Sequence, residues 1–143
     1  MITLSLVLGV IIGILAIIDW KFKEIPSVFL TGIIFLTAMV HFYNFEVGLI
    51  SLAFGSLAFI YAWTLYEAQF IGGIADVKII TIIGLMIVNV QMFFVLMMMV
   101  ILFGMAYKLT FRYILKREKT EEIPFIPCLY AVYIAMLLVG GLA

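Results

Sequence analysis

Long uncharged apolar blocks, each ended by a short polar break, dominate this chain. No Asp, Glu, Lys or Arg occurs between Ile2 and Ile18, and the same holds for residues 27–43, 47–66 and 124–142. A soluble domain would carry roughly a quarter charged residues to cover its surface. Here 11% are charged and 68% apolar, and the mean hydropathy is +1.37. A hydrocarbon core about 30 Å thick takes about 20 helical residues per crossing, so crossings and short loops use up the chain. The expectation is an all-α, polytopic membrane protein, a single transmembrane domain over residues 1–143 with the lipid bilayer around it.

Composition also excludes several classes. The net charge is zero and the basic residues form no patch interleaved with aromatics, so nucleic acid is not an expected partner. Cys128 is the single cysteine, which leaves no internal disulfide and no multi-cysteine metal site. With His41 as the single histidine, an ordinary zinc site is not expected either. No metal and no cofactor is implied. The first apolar block has no basic residues before it and ends at Asp19 rather than at a small-residue cleavage site. It reads as a retained helix, not as a signal peptide.

The polar breaks give six expected spans, about 2–18, 27–43, 47–66, 76–89, 91–110 and 124–142. The fourth break decides the count. Val77 to Tyr107 is 31 residues, interrupted in its interior only by Asn89 and Gln91. One helix of that length would run about 46 Å, too long for the core without severe tilt. With a turn at Asn89–Gln91, all the Lys and Arg (Lys21, Lys23, Lys78, Lys108, Arg112, Lys116, Arg117 and Lys119) fall on one side. The positive-inside rule makes that side cytoplasmic and puts both termini on the non-cytoplasmic side. Asp19 then closes the first span and Asp76 opens the fourth, at the same face of the membrane.

Two motifs surround these acids. The first is Asp19-Trp20-Lys21-Phe22-Lys23-Glu24-Ile25-Pro26. Trp20 and the lysines suit an interfacial loop that fixes orientation, whereas an acid joined directly to an apolar helix end suits function. The second is Gly72-Gly73-Ile74-Ala75-Asp76-Val77-Lys78. Its paired glycines suit a chain reversal, its small residues admit close approach of another backbone, and Asp76 meets the favourable end of a helix dipole. A capping Asp after a Gly-Gly turn has the same appearance.

Taken in order, Asp-x-Lys-x-x-x-Ile-Pro after the first span and Gly-Gly-x-Ala-Asp-Val-Lys opening the fourth resemble the type IV prepilin and preflagellin peptidase family, membrane aspartyl proteases with a Gly-x-Gly-Asp signature. Ile123-Pro124-Phe125-Ile126-Pro127 is similar to the proline-containing segment before that family's last helix, so the resemblance covers nearly the whole chain. Ala75 stands where the signature has its second glycine, and Ser27 follows Pro26 where members often have Asn. The extra cytoplasmic domain of longer bacterial members, with its cysteine pairs, is missing, and the chain looks like the short, archaeal-like form. Peptidase activity without N-methylation of the product is what the resemblance implies.

The resemblance assigns catalysis to Asp19 and Asp76. One carboxylate, ionised, would take a proton from the attacking water; the other, protonated, would hydrogen-bond to the developing oxyanion. Close like charges at a low-dielectric membrane edge favour one shared proton. The implied partner is a prepilin-like or preflagellin precursor, with a short leader ahead of a hydrophobic helix, cut at the cytoplasmic face of the cell membrane. Gly72, Gly73 and Ala75 would support the site. Lys21, Lys23 and Lys78 flank the acids, where they either steer substrate carboxylates or hold an Asp ionised, or serve as topology lysines. A proton-coupled transporter is the rival from another class, although its acids would sit near the bilayer midplane. A non-enzymatic filament-assembly subunit is a third reading. Glu67 is expected as a helix-end acid, Met97-Met98-Met99 as soft helix packing, Lys116–Glu122 as a solvated loop and Cys128 as buried in the last span.

Overall fold

A computed structural model describes residues 2–22, 25–43, 45–114, 123–140 and 142. Lys23, and the expected loop from Lys116 to Glu122, lie outside the described residues. Within them the chain is all-helical, with six α-helices: α1 (Ile2–Phe22), α2 (Ser27–Phe42), α3 (Phe45–Glu67), α4 (Ile74–Leu85), α5 (Val90–Leu109) and α6 (Ile126–Leu138). A π-helical turn, Thr110–Ile114, continues α5.

Three of these helical stretches are long and apolar enough to cross a membrane: Thr3–Phe22, Val47–Glu67 and Val90–Ile114. The apolar helices Ser27–Phe42 and Ile126–Leu138 are shorter. Large apolar side chains cover outer faces as well as the core. On α1, for example, Leu6, Val10, Ile14 and Ile17 are exposed while Leu8, Ile12 and Leu15 are buried. Helices apolar all round belong in a membrane or deep in a large protein, and the chain is built for membrane association.

Helix boundaries and turns differ from the sequence expectation in five places. α1 runs on through Phe22, so Asp19 lies inside its last turn and does not close it. The span expected over 76–89 is a helix only over Ile74–Leu85, and that expected over 124–142 only over Ile126–Leu138. The break expected at Asn89–Gln91 falls at Met86–Asn89, because Met86 and Ile87 close the last turn of α4 through bonds to Ile83 O and Gly84 O, both 3.1 Å. Asn89 then caps α5 by accepting the Gln91 N–H at 2.8 Å. The chain reversal after α3 is made by Gln69, the one described non-glycine residue with positive φ (56°), and not by Gly72-Gly73. Phe70 N–H bonds Leu65 O at 2.8 Å and Gln69 N–H bonds Tyr66 O at 2.9 Å, the pair of bonds of a Schellman cap. Gly73 itself is extended, with φ −151° and ψ 159°.

α4 is the hub. It packs on α2, α3 and α6, and α6 in turn packs on α1 and α5. Apart from Lys78, every residue from Asp76 to Leu85 is buried. Against α3 the approach is close: a Cβ added at Gly84 would collide with the Ala58 Cβ and stand 3.1 Å from the Phe54 carbonyl oxygen. Small residues permit this contact. Ser51 on α3 donates to the Leu85 carbonyl at the C-terminus of α4, and Tyr61 donates to Met97 O on α5 at 2.8 Å. On the other side, Tyr133 of α6 donates to Ser5 O of α1 at 2.5 Å. These bonds tie α3 to α4 and α5, and α6 to α1; with α4 also packed on α6, the end of α1 and the start of α4 both reach the N-terminus of α6.

Candidate active site

Asp19 and Asp76 come together there. Asp76 is the third residue of α4 and only 5% exposed. Its Oδ2 accepts the Gly73 N–H at 3.1 Å, so the acid closes its own helix start from inside the turn. Asp19, partly buried in the last turn of α1, turns to another helix: its Oδ2 accepts the backbone N–H of Ile126, the first residue of α6, at 3.1 Å. Both carboxylates therefore end at the positive end of a helix dipole.

Between them lies a cavity of about 400 Å³. Asp19 and Ile25 form one wall, Gly72, Gly73, Ala75 and Asp76 a second, and Ile123 to Ile126 a third. Asp76 is within electrostatic reach of Asp19 across this space. A Cβ added at Gly72 would meet nothing within 4 Å, and it would meet nothing nearer than 3.9 Å at Gly73. The local fold does not require glycine at either position, so the missing side chains leave the backbone edge open to the cavity.

Of the residues singled out from sequence, Asp19, Gly72, Gly73, Ala75 and Asp76 share this cavity. The lysines do not. Lys21 is exposed, its ammonium 5.4 Å from the neighbouring Phe22 ring. Lys78 turns away from the acids to α2, donating to Ser27 O at 2.9 Å, to Ser27 Oγ at 2.5 Å and to Thr31 Oγ1 at 2.6 Å. Those bonds occupy all three donors of the ammonium. Among the described residues, the cation set against the turn that holds Asp76 is instead Lys108, near the end of α5, its Nζ 4.6 Å from the centroid of the Phe70 ring. Sequence reasoning missed it because Lys108 stands far from either acid along the chain. Also missed was the Ile126 amide as the partner of Asp19. The proline-containing run over 123–127 was visible, but the amide it frees at the start of α6 was not.

Other residues fall outside the cavity. Glu67 is exposed beside Trp63 and Thr64, and Cys128 is buried in the first turn of α6. His41 is buried in α2, where its Nδ1 pairs with Thr37 O at 2.8 Å. Among the described residues no group of three or more His, Cys, Asp and Glu side chains is arranged to hold a metal ion. Comparison with known proteins finds no matching family model, no matching curated protein and no matching solved structure.

Proposed function

We propose that this chain is a membrane aspartyl endopeptidase that uses Asp19 and Asp76 to activate water and cut a precursor peptide. One observation carries the reading: two carboxylates, on different helices far apart in sequence, line the same cavity at the ends of their helices. A water occupies about 30 Å³ of liquid volume. A space of about 400 Å³ admits that water and a short extended peptide segment together.

The acids divide the work. The ionised carboxylate removes a proton from water as the oxygen attacks the peptide carbonyl, and the protonated one donates to the oxygen that becomes anionic. Collapse of the gem-diol then breaks the C–N bond, and a carboxyl proton passes to the leaving amine. Each Asp is held by a backbone N–H, from Ile126 and from Gly73, which keeps both heads oriented before substrate arrives. The open backbone edge at Gly72-Gly73 is suited to receive an extended peptide.

A six-crossing layout belongs to this reading, with both termini on the non-cytoplasmic side and the acids at the cytoplasmic face. Its support is the placement of every Lys and Arg at the first, third and fifth polar breaks. The substrate class follows from the motif resemblance together with the position of the acids: a type IV prepilin-like or preflagellin precursor, whose own hydrophobic helix would set the scissile bond at the depth of the cavity. The transporter reading receives less support, since both acids lie at helix ends.

Co-expression with candidate pilin and flagellin precursors tests the proposal. Leader loss, read by gel mobility and N-terminal sequencing, is expected with the wild type and absent with Asp19→Asn and Asp76→Asn at equal protein levels. Cleavage persisting in either variant rules out the dyad.

A further inference from the structure

Lys108 is the basic residue that the fold carries to the turn ahead of Asp76, and it is held there from two sides. Its Nζ lies 4.6 Å from the centroid of the Phe70 ring and 3.5 Å from the Gln69 carbonyl oxygen. Both partners belong to the turn between α3 and α4, the same turn whose Gly73 N–H holds Asp76. Gln69 is in the left-handed conformation, φ 56°, which an L-residue adopts at some cost.

The Phe70 ring is gripped on its other faces as well. Gly104, one helical turn before Lys108, leaves the space for it: a Cβ there would stand 2.8 Å from Phe70 Cε1 and 3.0 Å from Phe125 Cζ. Phe70 meets Phe125 edge-on at 6.2 Å, and Phe125 lines the acid cavity in the segment before α6. Phe70 therefore ties the turn before α4 to the segment before α6, and Lys108 caps it. The other described cations are engaged elsewhere or exposed: Lys78 on α2, Lys21 beside Phe22, Arg112 at the surface.

We infer that Lys108 is a positioning residue for Asp76: it clamps the Gln69–Phe70 turn and so fixes the backbone that holds this carboxylate. The inference rests on the proposed peptidase reading for its catalytic consequence, though not for its structural one.

Two measurements on the full-length chain in membranes separate these. The first does not use cleavage. In a Cys128→Ala background, Ile71→Cys reports the openness of the turn through its rate of maleimide labelling, since position 71 is only 2% exposed and reacts only when the turn opens. Lys108→Gln is expected to raise that rate roughly three- to thirtyfold, the range that cation–π contacts span, and Lys108→Arg to return it. Phe70→Leu, which removes the ring from beneath the ammonium, is expected to reproduce the rise and decides the matter if Lys108→Gln does not accumulate. Labelling unchanged in both Lys108→Gln and Phe70→Leu overturns the clamp.

The second measurement is precursor cleavage by the chain without the Ile71→Cys reporter. Lys108→Gln is expected to lower kcat by about tenfold or more with KM little changed, since a displaced catalytic group costs rate rather than binding, and Lys108→Arg to recover most of it. A wild-type kcat in Lys108→Gln overturns the catalytic consequence. Failure of the wild type to cleave any precursor refutes the peptidase reading instead, and the labelling result still decides the clamp.

Discussion

Asp19 Oδ2 accepts the Ile126 amide at 3.1 Å, so the acid of the first helix caps the last one. This contact gives Asp19 a structural duty beside any chemical one. Asp76 has the same double character through Gly73 N–H, also at 3.1 Å. Variants at either acid therefore need to separate loss of chemistry from loss of a cap.

Asparagine and alanine at position 19 make that separation. Asp19→Asn retains an oxygen for the Ile126 amide, whereas Asp19→Ala leaves it without its partner, at a cost of about 1 kcal/mol typical of a lost cap. Thermal unfolding in detergent is expected to rank wild type and Asn close together with Ala below. Cleavage is expected to be absent in both variants.

Lys78 predicts the opposite pattern. Its ammonium ties α4 to Ser27 and Thr31 on α2 and does not reach into the cavity. Lys78→Met should reduce stability by about 1–3 kcal/mol, as for a lost charge-assisted network. Precursor turnover per folded molecule should stay near wild type, as measured by cleavage normalised to folded protein.

Gln69→Gly should stabilise the chain. The residue holds φ at 56° in the Schellman cap of α3, and glycine adopts that region without the side-chain penalty of roughly 1–2 kcal/mol. Greater flexibility of the unfolded chain offsets part of the gain. A rise in unfolding midpoint is the expected readout, and a fall would contradict the cap as described.

Gly84 and Gly72 should answer differently to an added methyl. At Gly84 it would strike Ala58 and approach the Phe54 carbonyl, so Gly84→Ala should cost about 1–3 kcal/mol by overpacking α3 against α4. At Gly72 it would meet nothing within 4 Å, so Gly72→Ala should leave the unfolding midpoint within experimental error. Unfolding curves of the two variants, side by side, check the contrast.

Much of this protein was legible in the chain itself. Uncharged apolar blocks and their polar breaks announced an all-helical architecture suited to a membrane, because a backbone in hydrocarbon must satisfy its hydrogen bonds internally. The two acids and the Gly72-Gly73-x-Ala75 run were visible as candidates for one site, since charge is expensive in such surroundings. Boundaries were less legible. α1 continues past Asp19 because Trp20, Lys21 and Phe22 contain no helix breaker, and α4 ends before Asn89 because its last turn closes at Met86 and Ile87.

Side-chain direction was decided only by the tertiary structure. Lys78 lies two residues from Asp76, yet the helix turns it onto α2; Lys108, far along the chain, is brought to the Gln69–Phe70 turn by the packing of α5. Sequence distance carries no information about such pairs, since which face of a helix meets which neighbour depends on how all the helices pack. The sequence alone determined that there would be two acids at helix ends. That they line one cavity, each held by a backbone amide, follows from α4 and α6 packing together with α1 set against α6.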